Sequence, residues 1–371
     1  MISLVLLYLS IYALSFFILV RLGGIYQSKK ERIYVLEEPH INREEITVLI
    51  PFRNGEKRLD GLIQSINRLV KTPANFIFIN DHSDDESVLK LKNGLKIRNY
   101  EILKLPVEMT GKKRALRYAA AKVTTEYTLT FDADVQFESN FFDKIEALSK
   151  ADMYVLNAIM KSEKWYECFY EIDVLLVSAI NTGVSGFARP IAASGANLLY
   201  RTAVFNRVDR IESHVHLSSG DDAYLLRDFR AAKCDVRLHT SRDFLVITET
   251  PKSINEFINQ RMRWIGKTSN VKDTLSTRLI IFQTLFTLVF LVILVWTVMG
   301  KDWGLTLKLL GIKTSIDLFV FGIYFMKLGR AVVLLFVPIY ELLFPIYTVV
   351  LMVLHFIYTP QWKGREIYTR E

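Results

Sequence analysis

Five carboxylates and one aromatic-basic cluster in this chain have the types and spacing needed to handle an activated phosphate compound. In chain order they are Asp81 in FINDHSDD, Asp132 and Asp134 in FDADVQF, Asp221 and Asp222 in SGDDAYLLR, and then Gln260-Arg261-Met262-Arg263-Trp264. Asp132 and Asp134 can turn both carboxylates into one pocket, and hard divalent cations take such oxygens while sharing substrate phosphates. Asp222, beside the like charge of Asp221, suits a general base that takes a proton from an acceptor hydroxyl. Gln260, Arg263 and Trp264 stand at i, i+3 and i+4, so they share one helix face. There an arginine can grip a diphosphate bidentately, and an indole offers a flat contact to a sugar or a lipid headgroup. An uncharged run of 22 residues begins at Leu279, just beyond. The order implies transfer of a group from a nucleotide-activated donor to something in a bilayer.

Each motif also has a plainer reading. Asp84 or Ser83 serves as a helix cap, Asp221 and Asp222 as a pair favouring a helix N-terminus, and the QRMRW segment as a membrane-interface belt. TGKKRAL lacks the first glycine and the Ser or Thr of a phosphate loop, although Lys112 or Lys113 at a helix start can still meet a diphosphate. His214 and His216 have no third ligand nearby in sequence, which argues against zinc. Glu341 sits in an apolar run, where an ionisable group needs a reason. What favours chemistry is convergence: several of these groups directly follow expected strands.

The expected elements are those of an α/β domain. The run 46–51 is fully apolar, as buried parallel strands are. Further strands are expected at 76–79, 100–103, 127–131 and 153–158. Leu59, Leu62, Ile63, Ile66 and Leu69 recur at helical spacing, and helices are also expected over 84–95, 111–122 and 140–148. Such alternation predicts a mostly parallel, doubly wound sheet. Pro51 and Asn54 then follow the first strand, Asp81 the second, and Asp132 and Asp134 the fourth. Ligands of open α/β sheets bind beyond those strand ends.

Hydrophobic residues make up 51% of the 371 and mean hydropathy is +0.21, too apolar for an ordinary soluble chain. Residues 1–20 read as an uncleaved transmembrane anchor, because basic residues follow the run and none precedes it. A juxtamembrane linker is expected over 21–45 and one α/β domain over 46–270. The membrane region is expected over 271–359, with a strong span at 279–300, a weaker or interfacial segment at 304–326, and a spanning or re-entrant one at 331–359. A basic cytosolic tail follows at 360–371. The net charge of +8 flanks these segments, so it suits anionic lipid and not nucleic acid. Two cysteines, Cys168 and Cys234, fit a reducing compartment.

The series VLIPFRN, NDHSDD, GKKRAL, DAD, SGANLLYR, GDDAYL and QRMRW, from Ile46 to Lys267, resembles the membrane-bound family 2 glycosyltransferases. The flanking segments and the closing WKGREIY are similar to the lipid-glycosylating branch, with ceramide and bacterial carotenoid or hopanoid enzymes. The resemblance implies a GT-A catalytic domain between N- and C-terminal transmembrane helices. It also implies a nucleotide-sugar donor, UDP-linked by expectation, with Mg²⁺ or Mn²⁺, a membrane lipid acceptor and inversion by single displacement. Pro51, Asn54, Asp81, Lys112 and Asp132 would then contact the donor, with Asp81 on its base. Asp132 and Asp134 would hold the metal, and Asp222, beside Asp221, would be the base. Gln260, Arg263 and Trp264 would flank diphosphate and acceptor, and Ser194–Arg201 would line the acceptor cleft. The expected place is a bacterial inner membrane with the domain cytosolic. A processive polysaccharide synthase is the alternative, and a silent nucleotide-sugar-binding scaffold a lesser one.

Overall fold

The computed structural model describes residues 2–210, 220–362 and 365–366. His214 and His216, and most of the basic tail, lie outside the described residues. Among the described residues the strands of the α/β region are β1 (Ile46–Phe52), β2 (Asn75–Asn80), β3 (Tyr100–Lys104), β4 (Tyr127–Thr130), β5 (Met153–Leu156), β6 (Ala158–Lys161), β7 (Leu198–Arg201), β8 (Val236–His239) and β9 (Val246–Glu249), and the tail adds the antiparallel pair β10 (Gln361–Trp362) and β11 (Arg365–Glu366). Seven of them form one sheet in the order β3-β2-β1-β4-β7-β5-β8, while β6 and β9 pair separately. All pairings in the large sheet are parallel except those of β7, which runs antiparallel to both neighbours. β1 is buried at every position, which is why its sequence is an unbroken apolar run.

Helices α3 (Leu59–Asn67), α4 (Ser87–Gly94), α5 (Lys112–Ala120), α6 (Phe141–Ile145), α8 (Thr202–Val208) and α9 (Asp221–Ala231) cover the two faces. For this numbering α1 is Ile2–Phe16, α2 is Gly23–Leu36 and α7 is Cys168–Phe187. Leu59, Leu62, Ile66, Leu91, Phe141 and Phe142 pack one face, and Ala115, Leu116, Phe205, Leu225 and Phe229 the other. From β1 the chain builds outward to β2 and β3 on one side and places β4 on the other. A topological switch therefore lies between β1 and β4, where the strand ends open a crevice for a ligand. Asp81 and the Asp132–Asp134 turn stand along that edge, whereas Pro51, expected past the first strand, lies within β1 one residue from its end.

The remaining helices are α10 (Ile254–Val271), α11 (Thr274–Met299), α12 (Trp303–Lys327) and α13 (Val337–Ile357). Among the described residues, five helical segments are long and apolar enough to cross a membrane: Ser3–Leu36, Trp165–Phe187, Thr274–Met299, Trp303–Lys327 and Ala331–Ile357. Leu4, Leu7, Leu14, Leu285, Val292, Phe319, Val353 and Phe356 stay exposed along four of them, an apolar belt that associates the protein with a membrane. Lys313 and Asp317, which weaken α12 as a span in sequence, turn inward to meet Glu341 of α13. Both flanks of α13 touch elements of the α/β domain. Before it Arg330 pairs with Glu171 of α7, and after it the Tyr358 hydroxyl donates to Asn259 Oδ1 of α10 at 3.0 Å.

The stretch 21–45, expected as a linker, differs from that expectation: the first helix runs on through a π-turn (Phe17–Leu22) and α2 as far as Leu36. Tertiary packing explains the difference. Gln27 Nε2 donates to Leu238 O at 2.6 Å, and Glu31 Oε1 accepts from Thr240 N at 2.7 Å, fastening α2 across β8. α7 lies against α2 with glycines at the crossing: a Cβ on Gly183 would overlap Leu19 O, and one on Gly186 would overlap Gly23 O. Only glycine lets two helix backbones approach this closely. Gly183→Ala is expected to cost about 1–3 kcal/mol, because backbone cannot move aside as a side chain can. Thermal unfolding in detergent measures it; an unchanged midpoint would mean the helices separate freely.

Candidate active site

Asp81 follows the last residue of β2 and is buried. Its Oδ2 accepts from Gly111 N at 3.1 Å, while Oδ1 is shielded and has no partner among the described residues. An orphaned buried carboxylate oxygen is costly unless a donor arrives, and a base N–H is such a donor. Asn54 sits at φ 47° beyond β1. Its N–H donates to Ser83 Oγ at 3.0 Å, and its Oδ1 accepts from Asp84 N at 3.1 Å. Asn54 thus braces two strand-end loops against each other. The cap before α4 comes from Asp85, whose Oδ1 accepts from Ser87 N at 3.1 Å; the expected caps, Asp84 and Ser83, serve the loop brace instead.

Lys112 opens α5 and reaches into the centre of the site. Its Nζ lies 2.6 Å from Asp132 Oδ1 and 3.0 Å from Asp221 Oδ2. Although burial opposes its charge, these carboxylates raise its pKa above the ordinary lysine value. Burial, with the charge of Asp132 beside it, pushes the Asp134 carboxyl up to about 6. Two hard oxygen donors strained by mutual repulsion fit a divalent cation, which would relieve that repulsion. Among the described residues no group of three or more His, Cys, Asp or Glu side chains forms a ready metal cage. A cation held here would draw its remaining ligands from substrate oxygens and water, as Mg²⁺ commonly does.

Asp221 and Asp222 form the first turn of α9, after Gly220 at φ 90°. Burial raises the Asp221 carboxyl, but Lys112, with Lys267 and Lys113 farther off, overrides it and holds the group below its ordinary value. Asp222 is enclosed by four donor contacts. Oδ1 accepts from Ala223 N at 2.7 Å and Lys267 Nζ at 3.0 Å; Oδ2 accepts from Gly195 N at 3.1 Å and Lys267 Nζ at 3.1 Å. A carboxylate offers about four acceptor positions, so Lys267 has to shift before Asp222 can take a proton.

α10 brings QRMRW to the same place. Burial lowers the Arg263 guanidinium to about 10, against the opposing pull of Asp132 and Asp221, which places its charge within range of both carboxylates. Gln260 Oε1 is shielded without a partner among the described residues. Trp264 carries the Arg261 guanidinium over its ring at 4.3 Å. Arg261 also pairs with Asp173 of α7 at 2.9 Å and lies 4.9 Å from the Phe257 ring centre. Asp173 in turn accepts from the Tyr340 hydroxyl of α13 at 3.1 Å, so the motif helix is fastened to the apolar helices.

The structure therefore gathers Lys112, Asp132, Asp221, Asp222 and Arg263 into one electrostatic cluster beside Asp134, with Asp81 two strands over, beyond β1. Of the stretch Ser194–Arg201, Gly195 from its start and Leu198 and Tyr200 from strand β7 line a small pocket together with Asp221 and Asp222. Lys267 was missed by sequence reasoning, although it continues the Gln260, Arg263, Trp264 face by one further turn. Gly195 was missed as an individual residue. A Cβ there would stand 2.7 Å from Asp221 Oδ2 and 2.8 Å from Lys112 Nζ. Both are ends of flexible side chains, so Gly195→Ala is expected to leave the melting temperature within a few degrees while lowering transfer roughly tenfold or more. Activity and unfolding on one preparation check this; unchanged turnover would remove Gly195 from the site.

An open sheet of this order, with acids at its strand ends, defines the GT-A class of nucleotide-sugar transferase folds. Across 94% of this chain and 99% of that one, the structure superposes on a mannosyltransferase from Pyrobaculum calidifontis, solved with GDP-Man and Mn2+, at TM-score 0.54 and 13% identity. Residues 47–207 match the family described as Glycosyl transferase family 2. Over those residues the chain carries a domain of this glycosyltransferase family. It is 21% identical over 193 residues to the 4,4'-diaponeurosporenoate glycosyltransferase of Staphylococcus haemolyticus, covering 51% of each chain. It is 23% identical over 221 residues to the teichoic acid poly(glycerol phosphate) polymerase of Staphylococcus epidermidis, 58% of this chain and 27% of that one. The chain thus matches about half the length of one curated relative and about a quarter of the other.

Proposed function

We propose that this enzyme moves a hexose from a nucleotide sugar, UDP-linked by expectation, to a hydroxyl of a membrane lipid, inverting the anomeric centre. The observation that carries the reading is the convergence of Asp132, Asp221, Asp222 and Arg263 at one sheet edge, beside a helix fastened to apolar segments through Arg261 and Asp173. That fastening holds the motif helix against the apolar segments, where a lipid acceptor would arrive. The orphaned oxygen of Asp81 suits a base N–H of the donor, and Asn54 braces the loop beside it, just past Pro51 near the end of β1.

Asp222, released by Lys267, takes the proton of the acceptor hydroxyl. The acceptor oxygen then bonds to the anomeric carbon while the bond from that carbon to the diphosphate oxygen breaks, and the diphosphate leaves with the electron pair. Lys112 and Arg263 neutralise the charge that develops on it. Asp132 and Asp134 would hold a divalent cation, which when bound supplies further neutralisation of diphosphate charge. Gln260 and Trp264 flank this region from α10, and the domain faces the cytosol of a bacterial inner membrane in this reading.

The test is transfer of radiolabelled sugar from a panel of nucleotide sugars by the full chain in native lipid extract, with Mg²⁺ or Mn²⁺. Label in a small organic-soluble product supports the proposal. Label in a high-molecular-weight product would replace it with a processive synthase, and nucleotide-sugar binding without transfer under every condition would favour a silent scaffold.

A further inference from the structure

A cavity of about 90 Å³ lies among the apolar helices, walled by α1, α7, α11, α12 and α13, and plays no part in the chemistry above. It has room for several waters or one small polar headgroup. Its wall is unusually polar for such a place. Lys313 Nζ lies 2.6 Å from Glu341 Oε2 and also pairs with Asp317, whose Oδ1 accepts from the Tyr12 hydroxyl at 2.7 Å. Asp173 lines the same space. Gln283 lines it from α11, and its Oε1 is shielded with no partner among the described residues.

Two features decide what such a cavity accepts. Three carboxylates, Asp173, Asp317 and Glu341, line it with one ammonium, Lys313, while Arg261 meets Asp173 from α10. Lys313, the one cation in this wall, is already engaged by Asp317 and Glu341, so a phosphate would find no unpaired cation among the lining groups, in surroundings that screen little. The open valence, by contrast, is an acceptor: Gln283 Oε1 calls for an O–H or N–H donor. Ionisable groups among apolar helices are costly and commonly mark a functional site.

We infer that this cavity binds the headgroup of a neutral membrane lipid that donates an O–H or N–H to Gln283, and that it excludes lipid phosphates. The inference rests on the membrane reading of the proposed function, though not on which sugar is moved. Asp173 is shared between the cavity wall and Arg261, so an occupant lies one ion pair away from the QRMRW helix.

The experiment uses the full chain in lipid nanodiscs and a photoreactive, alkyne-tagged monoacylglycerol, compared with the matching lysophosphatidic acid. Adducts are mapped by peptide mass spectrometry. The expected result is monoacylglycerol adducts on the cavity-facing peptides of α11, α12 and α13, several-fold above the phosphate probe. Gln283→Leu, which conserves volume, should reduce them roughly tenfold, about what one buried hydrogen bond contributes, and the cavity-filling Ile180→Trp should reduce them at least as much by taking the occupant's space. Adducts confined to the outer apolar belt, equal labelling by both probes, or labelling indifferent to Gln283→Leu would overturn the inference. Should Ile180→Trp fail to fold, Gln283→Leu alone still distinguishes these outcomes. UDP titration with Mn²⁺ on the same samples reads the proposed function separately: labelling without nucleotide binding sinks that reading alone, and the converse sinks this one. Hexose on the crosslinked lipid after donor addition identifies the occupant as acceptor; its absence identifies a resident lipid, and the site stands in both cases.

Discussion

Asp222→Asn is expected to lower sugar transfer by roughly 10²- to 10⁴-fold, the usual worth of a positioned general base. Asparagine keeps an oxygen for Gly195 N or Ala223 N and nearly the same volume, so α9 should hold its place. What disappears is a proton acceptor and the partner of Lys267. Because the donor diphosphate is gripped by Lys112 and Arg263 in this scheme, nucleotide affinity should change by less than about threefold, under 1 kcal/mol. Product formation in lipid extract and UDP titration by calorimetry separate the two effects. Loss of both in parallel would make Asp222 a structural anchor, for which its four donor contacts already qualify it. Asp221→Asn on the same assays then decides between neighbours, since Asp221 is engaged mainly by Lys112.

Asp134→Ala carries the second large effect, this time on donor affinity. Removing one of two hard oxygen donors should cost about 3 kcal/mol of metal-assisted binding, on the order of a hundredfold. Affinity in chelator should stay as it was, because Asp81 and the basic side chains do not depend on Asp134. Titrating UDP with Mn²⁺, Mg²⁺ and chelator measures both quantities. Equal metal enhancement in wild type and variant would remove Asp134 from any metal site. Asp132→Ala makes an instructive companion: it also frees Lys112, whose closest carboxylate contact is Asp132 Oδ1 at 2.6 Å. Its metal-free affinity for diphosphate should therefore rise as its metal enhancement falls.

Much of this site is legible in the chain because its signals are local. An apolar run closed by a polar residue marks a buried strand and its end, so β1 to β5 and the acids beyond them could be placed by pattern. The i, i+3, i+4 spacing of Gln260, Arg263 and Trp264 likewise needs nothing beyond helix geometry. α7 was not legible, because Glu171 and Asp173 interrupt its apolar face, and those charges make sense only opposite Arg330 and Arg261. β7 and β8 were not placed by pattern, although they are no shorter than β4 and β5.

By itself, then, the sequence determined the α/β alternation, the order of acids along the sheet edge, the motif face of α10 and the membrane character of the ends. Each follows from the chain's own periodicity, which neighbouring residues carry. Only the tertiary structure decided that Lys267 closes on Asp222, that Lys112 bridges Asp132 to Asp221, and that Glu341 answers Lys313 inside a cavity. It also decided that residues 21–36 are helix, since α2 is held by α7 and β8. These pairings join residues far apart in the chain, and a charge carries no mark of its partner until folding brings the two together.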